Sequence, residues 1–354
     1  MNKRNADLIS PIHARISIVT IAIVLLSVQA GCDASKTSSG TADASKPGLS
    51  EPSKSGGAGL TKVTLQLNWF PEVEHGGYYA ALVHGYYMEV GLDVTILPGG
   101  PETPVLQQVA RQAVTFGIIN ADNILFGQAQ EVPAVAVMAA LQTSPRCLIV
   151  HESSGIRNFE ELKNMTIAMS TSAAFSHYLQ WKVPLTGVEI VPYSGNVAQF
   201  LLNKNYAQQG YVFSEPFVAR KQGGDPRVLM LADLGFNPYT SLLFTDRVRI
   251  DGEPDLVRKM VAASVRGWKH YIEAPDKTNE YIHQVNPEMD LDILAFGAKT
   301  LAPLVQNTTD PQPLGAMSLA RWKTLADQLT ESGQLKPNAV QVERAFTTSF
   351  LPSP

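Results

Sequence analysis

Residues 67–81 read LNWFPEVEHGGYYAA, which places Trp69, Phe70, Tyr78 and Tyr79 around Glu72, Glu74 and His75. Four chemistries are open to such a set. The rings could clamp a flat ligand, since an aromatic pair contributes about 0.5–1.5 kcal/mol beyond its buried area. Glu72, Glu74 and His75, with His84 further on, could ligate a metal. His75 could act in catalysis, or the rings could simply fill a core. The spacing weakens the metal reading, because EVEH lacks the i, i+4 helical arrangement of a zinc motif and Pro71 predicts a loop. No phosphate-binding glycine loop, G-x-S-x-G elbow or C-x-x-C pair occurs anywhere in the chain.

The elements that must position these residues follow from periodicity. KVTLQLNW alternates as a strand, GYYAALVHGYYME reads as a helix stopped at Gly91, and LDVTIL is a second strand. ETPVLQQVARQ (helix), VTFGII (strand), NILFGQAQ (helix) and PAVAVMAAL (strand) continue the alternation. A second series follows Ser144-Pro145. CLIVHE, MTIAMS, VEIVPY, GYVFS and RVLMLAD read as strands, with NFEELKN (opened by Asn158), STSAAFSHYLQW and NVAQFLLNKN as helices between them. SLLFTD then leads into a helical last third. Strand–helix alternation with short Gly/Pro links predicts mainly parallel sheets. Ligands bind beyond the carboxyl ends of such strands, and the residues there are Asn68 and Trp69, Asn120 and Asp122, Gln142 and Thr143, Ser170 to Ser172, Tyr193, and Ser214 with Glu215. Trp181, Trp268 and Trp322 lie at apolar helical spacing and read as core. His151, His177, His270 and His283 read as surface residues.

Composition narrows the class. A chain of 354 residues with 45% hydrophobic and 17% charged residues is an ordinary globular protein, long enough for two α/β lobes. A net charge of −4 and the lack of a basic run argue against nucleic acid as a partner. The N-terminus reads as an export signal: Lys3, Arg4 and Arg15 precede the apolar stretch 16–28, which is too short for a comfortable membrane span. The signal ends in Gln-Ala-Gly-Cys. Residues 1–31 are therefore expected to be a lipoprotein-type signal peptide and Cys32 the lipidated first residue, although Gln29 departs from the apolar residue favoured there. Residues 32–62, rich in Ser and Gly, read as a flexible tether reaching on the order of 30 Å.

At LNWFPEVEHGGYYAALVHGYYMEVGLDVTI the chain resembles the SsuA/ThiY-like (NMT-like) substrate-binding proteins, with weaker matches at FGIINADNIL, NFEELKNMTIAM, GYVFSEPFVA and AFTTSFLP. The family includes thiamine-pyrimidine-precursor, riboflavin, sulfonate and nitrate binders. The resemblance implies a type II periplasmic-binding-protein fold: two α/β lobes, 63–145 with 243–354 and 146–242, joined by two crossing strands as a hinge. It implies a non-enzymatic, monomeric lipoprotein without cofactor or metal, exported and anchored on the outer face of the cytoplasmic membrane, with outer-membrane anchoring left open. Its expected partners are a small ligand and the permease and ATPase subunits of an ABC importer. A thiamine pyrimidine precursor is the first ligand implied, riboflavin the second and a sulfonate or nitrate the third. The ligand residues implied are Asn68, Trp69, His75, Tyr78, Tyr79, Asn120, Asp122, Gln142, Ser170, Ser172, Tyr193 and Glu215, with Glu215 accepting from an exocyclic amine. A pyrimidine synthase that consumes an active-site His is the alternative of another class. The absence of a cysteine cluster weighs against it, since the only cysteines are Cys32 and Cys147.

Overall fold

The computed structural model describes residues 59–306 and 312–353. The export signal, Cys32 and all but the end of the expected tether lie outside them. The first strand, β1 (Thr61–Gln66), already begins within that expected tether. It is followed by β2 (Leu92–Leu97), β3 (Phe116–Ile119), β4 (Ala134–Leu141), β5 (Arg146–His151), β6 (Thr166–Ala168), β7 (Glu189–Val191), β8 (Tyr206–Tyr211), β9 (Pro226–Met230) and β10 (Thr240–Asp246).

These strands form two five-stranded sheets, ordered β2-β1-β3-β10-β4 and β7-β6-β8-β5-β9. In the first, β1 pairs parallel with β2 and β3, while β10 runs antiparallel between β3 and β4. The second repeats the pattern, with β5 antiparallel between β8 and β9. Each sheet is thus mainly parallel and carries one reversed strand. The reversed strands are the ones reached on crossing: the chain leaves the first sheet after β4, enters the second as β5, and returns after β9 as β10. β4 (AVAVMAAL) is buried at every position, as expected of a strand covered on both faces. Among the described residues no helix is long and apolar enough to cross a membrane.

The loop 68–75 is held in place by a close helix crossing. An ideal Cβ on Gly76 would lie 2.1 Å from the Tyr271 ring, and one on Gly77 would lie 2.1 Å from the Trp268 ring. Reciprocally, a Cβ on Gly267 would lie 2.1 Å from the carbonyl oxygen of Gly77. The Gly-Gly pair therefore lets the helix Gly76–Val83 settle directly onto the helix Pro254–Glu273. Tyr78 meets Trp268 edge to face at 5.6 Å, so Tyr78 belongs to this packing.

A second apolar core runs without a break from one sheet to the other. It joins Val105, Ile124 and Leu125 to Leu148, Ile167, Phe175 and Leu179 through Trp322, Leu325 and Leu329 of the helix Leu319–Glu331.

Several local expectations shift. Residues 170–173 precede the helix Ala174–Lys182 and do not open it. NFEELKN shortens to one turn at Phe159–Glu161, capped as expected by Asn158, whose side chain accepts from the Glu161 amide. The strand expected at GYVFS is β8 instead, four residues earlier, carrying the buried Gln208 and Gln209. Trp268 and Trp322 are fully buried, but Trp181 is 45% exposed and Trp181 is therefore not core. His151, expected at the surface, is buried with both ring nitrogens engaged: Nδ1 lies 2.5 Å from the Asp225 carboxylate and Nε2 2.8 Å from the Phe200 carbonyl oxygen.

Because Gly77 has no room for a methyl group, Gly77→Ala is expected to cost about 1–3 kcal/mol or more, as overpacking does. A Cβ at Gly252 meets nothing within 4 Å, and Gly252→Ala should stay within about 0.5 kcal/mol of the parent. Chemical denaturation of the two variants checks the contrast.

Candidate functional site

The turn after β1 is built around Asn68. Its Nδ2 donates to Glu74 Oε1 at 2.9 Å, and its Oδ1 lies 2.9 Å from His75 Nε2. An amide oxygen can only accept, so His75 must carry its proton on Nε2. That leaves Nδ1 as a bare acceptor, and it has no partner. Burial pushes the His75 pKa down to about 3, so the ring is neutral.

Behind this turn stands Ser241, at the head of β10, with the left-handed backbone (φ 53°) that a residue with a Cβ rarely adopts. Three contacts hold it there. Ser241 Oγ donates to the Glu74 carbonyl oxygen at 2.9 Å, Tyr78 Oη donates to the Ser241 carbonyl oxygen at 2.8 Å, and the Ser241 amide donates to Asn120 Oδ1 at 3.4 Å. Tyr78 thus supports the turn from inside the lobe. Tyr79 packs on Tyr281 at 5.7 Å and is also core.

The second sheet presents Arg146 and Glu215. The Arg146 guanidinium lies over the rings of Tyr211, at 4.1 Å, and Phe175, at 4.9 Å. Glu215 opens the helix Glu215–Lys221 and is gripped at both oxygens: Tyr193 Oη donates to Oε1 at 3.0 Å, and the Tyr211 amide donates to Oε2 at 2.7 Å. A Cβ on Gly210 would sit 2.9 Å from Glu215 Cβ, so the carboxylate reaches the backbone only because residue 210 is glycine.

Charge joins the two sides. Burial raises the Glu72 carboxyl well above its ordinary range, and the negative charges of Glu74 and Glu215 add to this, with Arg146 opposing. Burial lifts Glu74 to about 7, against the Asn68 hydrogen bond and Arg146. Burial likewise lifts Asp122 to about 6, again with Arg146 among the opposing groups. Burial works against the charge of Arg146 itself, but Tyr211, Glu215, Cys147 and Glu74 hold its pKa above the ordinary value. Four carboxyls and one guanidinium therefore share one electrostatic neighbourhood between the sheets, with acceptors in excess.

Of the expected ligand residues, Asn68, His75, Asn120, Asp122, Tyr193 and Glu215 are brought into this neighbourhood. Trp69, 36% exposed, stands beside them and meets Phe70 edge to face at 5.6 Å. Ser170 donates its amide to Gln209 Oε1 at 2.7 Å and places its hydroxyl 3.4 Å from that of the exposed Ser172. Gln142 is spent elsewhere, donating to the Ala316 and Ala139 carbonyl oxygens where the chain crosses between sheets. His84 stacks on His270 at 3.7 Å and does not join Glu72, Glu74 and His75. Sequence reasoning passed over Arg146 and Ser241. A lone Arg just past a strand end was the available signal for the first. The second had none, because a left-handed serine looks like any other serine in a strand.

The pH dependence follows from these shifts. Glu74 has its folded pKa raised above 4.5, so the folded state holds a proton that the unfolded state has lost, and stability falls as pH rises through about 7. His75 acts in the opposite sense, but only below its unfolded pKa near 6.5. Between pH 6.5 and 8 the carboxyls therefore dominate. From pH 6.5 to 8 the ligand-free protein should lose about 0.8 kcal/mol through Glu74 alone. Thermal melts across that range should show the fall, and Glu74→Gln should flatten it.

Comparison with known proteins places this geometry. A riboflavin-binding protein, RibY, of Chloroflexus aurantiacus is 26% identical, aligned over 96% of this chain and 98% of its own length. A formylaminopyrimidine-binding protein of Halalkalibacterium halodurans is 21% identical, over 82% of this chain and 90% of its own. The periplasmic aliphatic sulphonate binding protein SsuA of Escherichia coli superposes with a TM-score of 0.63 at 14% identity, over 80% of this chain and 91% of that one, which establishes a shared fold. The family model described as NMT1/THI5 like matches residues 72–278. The two sheets with their reversed crossing strands are thus the two-lobed fold of a periplasmic binding protein, and the chain belongs to the NMT1/THI5-like family.

Proposed function

We propose that this protein is an extracytoplasmic, non-enzymatic solute-binding protein that closes its two lobes on a planar, uncharged nitrogen heterocycle and delivers it to an ABC importer. The observation that carries the reading is the set of carboxyls, Glu72, Glu74, Asp122 and Glu215, gathered around the single guanidinium of Arg146. Such a site offers acceptors to ring and exocyclic N–H groups and one donor fork to a carbonyl. It opposes a sulfonate or nitrate, because an anion would meet several carboxyls for each cation.

A flavin is the first ligand on this reading. The edge of its pyrimidine-like ring alternates carbonyl, N–H and carbonyl, so a carboxylate can accept from the N–H while Arg146 donates to a neighbouring carbonyl. Trp69 and Tyr193 are the rings available to stack, and Ser170 and Ser172 offer hydroxyls to a polyol chain. The alignment with a riboflavin-binding protein over nearly the whole of both chains supports this order. A thiamine-type aminopyrimidine, placed first by the sequence resemblance, becomes the second ligand and is supported by the formylaminopyrimidine-binding relative. That both relatives are named as binding proteins supports the non-enzymatic reading over a synthase. Lobe boundaries at 63–145 with 243–354 and at 146–242, a lipid anchor at Cys32 and a monomeric state complete the proposal.

The test is titration of purified protein, stripped of bound ligand by unfolding and refolding, with riboflavin, an aminopyrimidine precursor and an alkanesulfonate. Riboflavin should bind tightest with its fluorescence quenched, and the alkanesulfonate should not bind. Glu215→Ala should weaken binding by about tenfold to a hundredfold, as expected for loss of a hydrogen bond to a charged group, and Trp69→Ala by about tenfold. Tight sulfonate binding, or normal riboflavin binding by both variants, would sink the assignment.

A further inference from the structure

We infer that Arg321 is a positioning residue for ligand binding: its guanidinium staples the two chain crossings together and so sets the angle at which Arg146 and Glu215 meet Glu72 and Glu74. Resting on the two-lobe binding reading above, the inference concerns a residue that touches none of these groups in any of its hydrogen bonds.

All three guanidinium nitrogens are committed to the crossings. Nη1 donates to the Gln142 carbonyl oxygen at 2.5 Å, in the segment leading from β4 to β5. Nε donates to the Asn237 carbonyl oxygen at 2.9 Å and Nη2 to Asn237 Oδ1 at 3.1 Å, in the segment leading from β9 to β10. The same Asn237 Oδ1 accepts the Ser144 amide at 2.8 Å, tying the two crossings to each other as well as to the arginine. The guanidinium lies over the Tyr239 ring at 3.9 Å, and Tyr239 Oη accepts the Ser318 amide at 3.0 Å. Among the described residues no carboxylate pairs with Arg321. Burial, the larger influence, holds its pKa below the ordinary value, and Tyr239 only partly compensates.

A largely buried guanidinium that neutralises no acid is costly to place and needs its fork filled. Here the fork is filled entirely by hinge backbone and the Asn237 side chain. Lysine, a point charge on a flexible stem, cannot span both crossings in this way. The helix carrying Arg321 also belongs to the core shared by both lobes, through Trp322, Leu325 and Leu329, so the staple is itself anchored on both sides. A cavity of about 310 Å³ opens beside the guanidinium, lined by Gly235, Asn237, Ser318 and Gln328 among others. It leaves the second crossing room to swing once released, and hinge motion of this kind is absorbed by a few element-terminal residues.

The experiment compares the full-length wild type with Arg321→Lys and Arg321→Met, and with Leu329→Ala as a control that weakens the same helix without touching the crossings. Amide hydrogen exchange of ligand-free protein should show protection lost at residues 142–145 and 233–239 in both Arg321 variants, with β4 and β8 still protected. Leu329→Ala should lower protection without that selectivity. Stopped-flow binding of riboflavin should show an affinity loss of about tenfold in Arg321→Lys, carried by a faster off-rate with the on-rate little changed. Unchanged hinge protection, protection lost uniformly with the strands, or selective loss with an unchanged riboflavin off-rate would each overturn the inference. If the wild type binds neither riboflavin nor an aminopyrimidine, the functional reading fails by itself, and the exchange comparison still decides whether Arg321 holds the hinge.

Discussion

A single guanidinium, that of Arg146, stands among carboxyls contributed by both lobes, and the rest of the structure can be understood as the means of keeping it there. Burying carboxylates without compensation is costly, and a buried group answers by shifting its pKa towards the neutral form. Glu72, Glu74 and Asp122 all shift in that direction, while Glu215, fully hydrogen-bonded to Tyr193 and the Tyr211 amide, shows how the second lobe satisfies its own acid. Arg146 in turn is flanked by the rings of Tyr211 and Phe175. The cluster is held by orientation more than by neutralisation.

That placement depends on packing some distance from any ligand. The turn carrying Asn68, Glu74 and His75 is anchored below by Gly76 and Gly77, which admit the Tyr271 and Trp268 rings, and behind by Ser241 in its strained backbone. Strain at a buried, thrice-bonded residue persists only where surrounding contacts overdetermine it, and it tends to cluster at functional positions. On the second lobe, Gly210 plays the matching part by admitting the Glu215 side chain to the backbone. The helices 215–221 and 291–305 meet across the lobes, with Phe217 stacked on Phe296 at 4.7 Å and Lys221 held between Asp290 and Asp292. These exposed ion pairs contribute little individually, and the stacked rings are the firmer contact.

The motif LNWFPEVEHGGYYAA began with four possible chemistries, and the structure divides it. Trp69 stays at the surface, Tyr78 and Tyr79 go into the core, and His84 pairs with His270 on its own. Glu72 and Glu74, considered at first only as metal ligands, become buried acids in the electrostatic neighbourhood of Arg146. His75 is neutral, fixed in one tautomer by Asn68, with a bare nitrogen left over.

What the sequence determined by itself was everything that local periodicity and turn chemistry control. The strand–helix alternation and the Asn158 cap were legible, because each depends on residues within a few positions of one another. β8 was misplaced because it carries the buried polar residues Gln208 and Gln209, and the partner of Gln209, the Ser170 amide, comes from a distant part of the chain. Tyr78 could not be told from a ligand clamp, because its partners Trp268 and Ser241 lie more than 160 residues away in the chain. Arg146 and Arg321 looked like isolated charges, since nothing near them in sequence announces carboxyls from the other lobe or carbonyl oxygens of two crossings. Only the tertiary structure decided these roles, because burial and charge are summed over neighbours in space, and the chain brings those neighbours together only by folding.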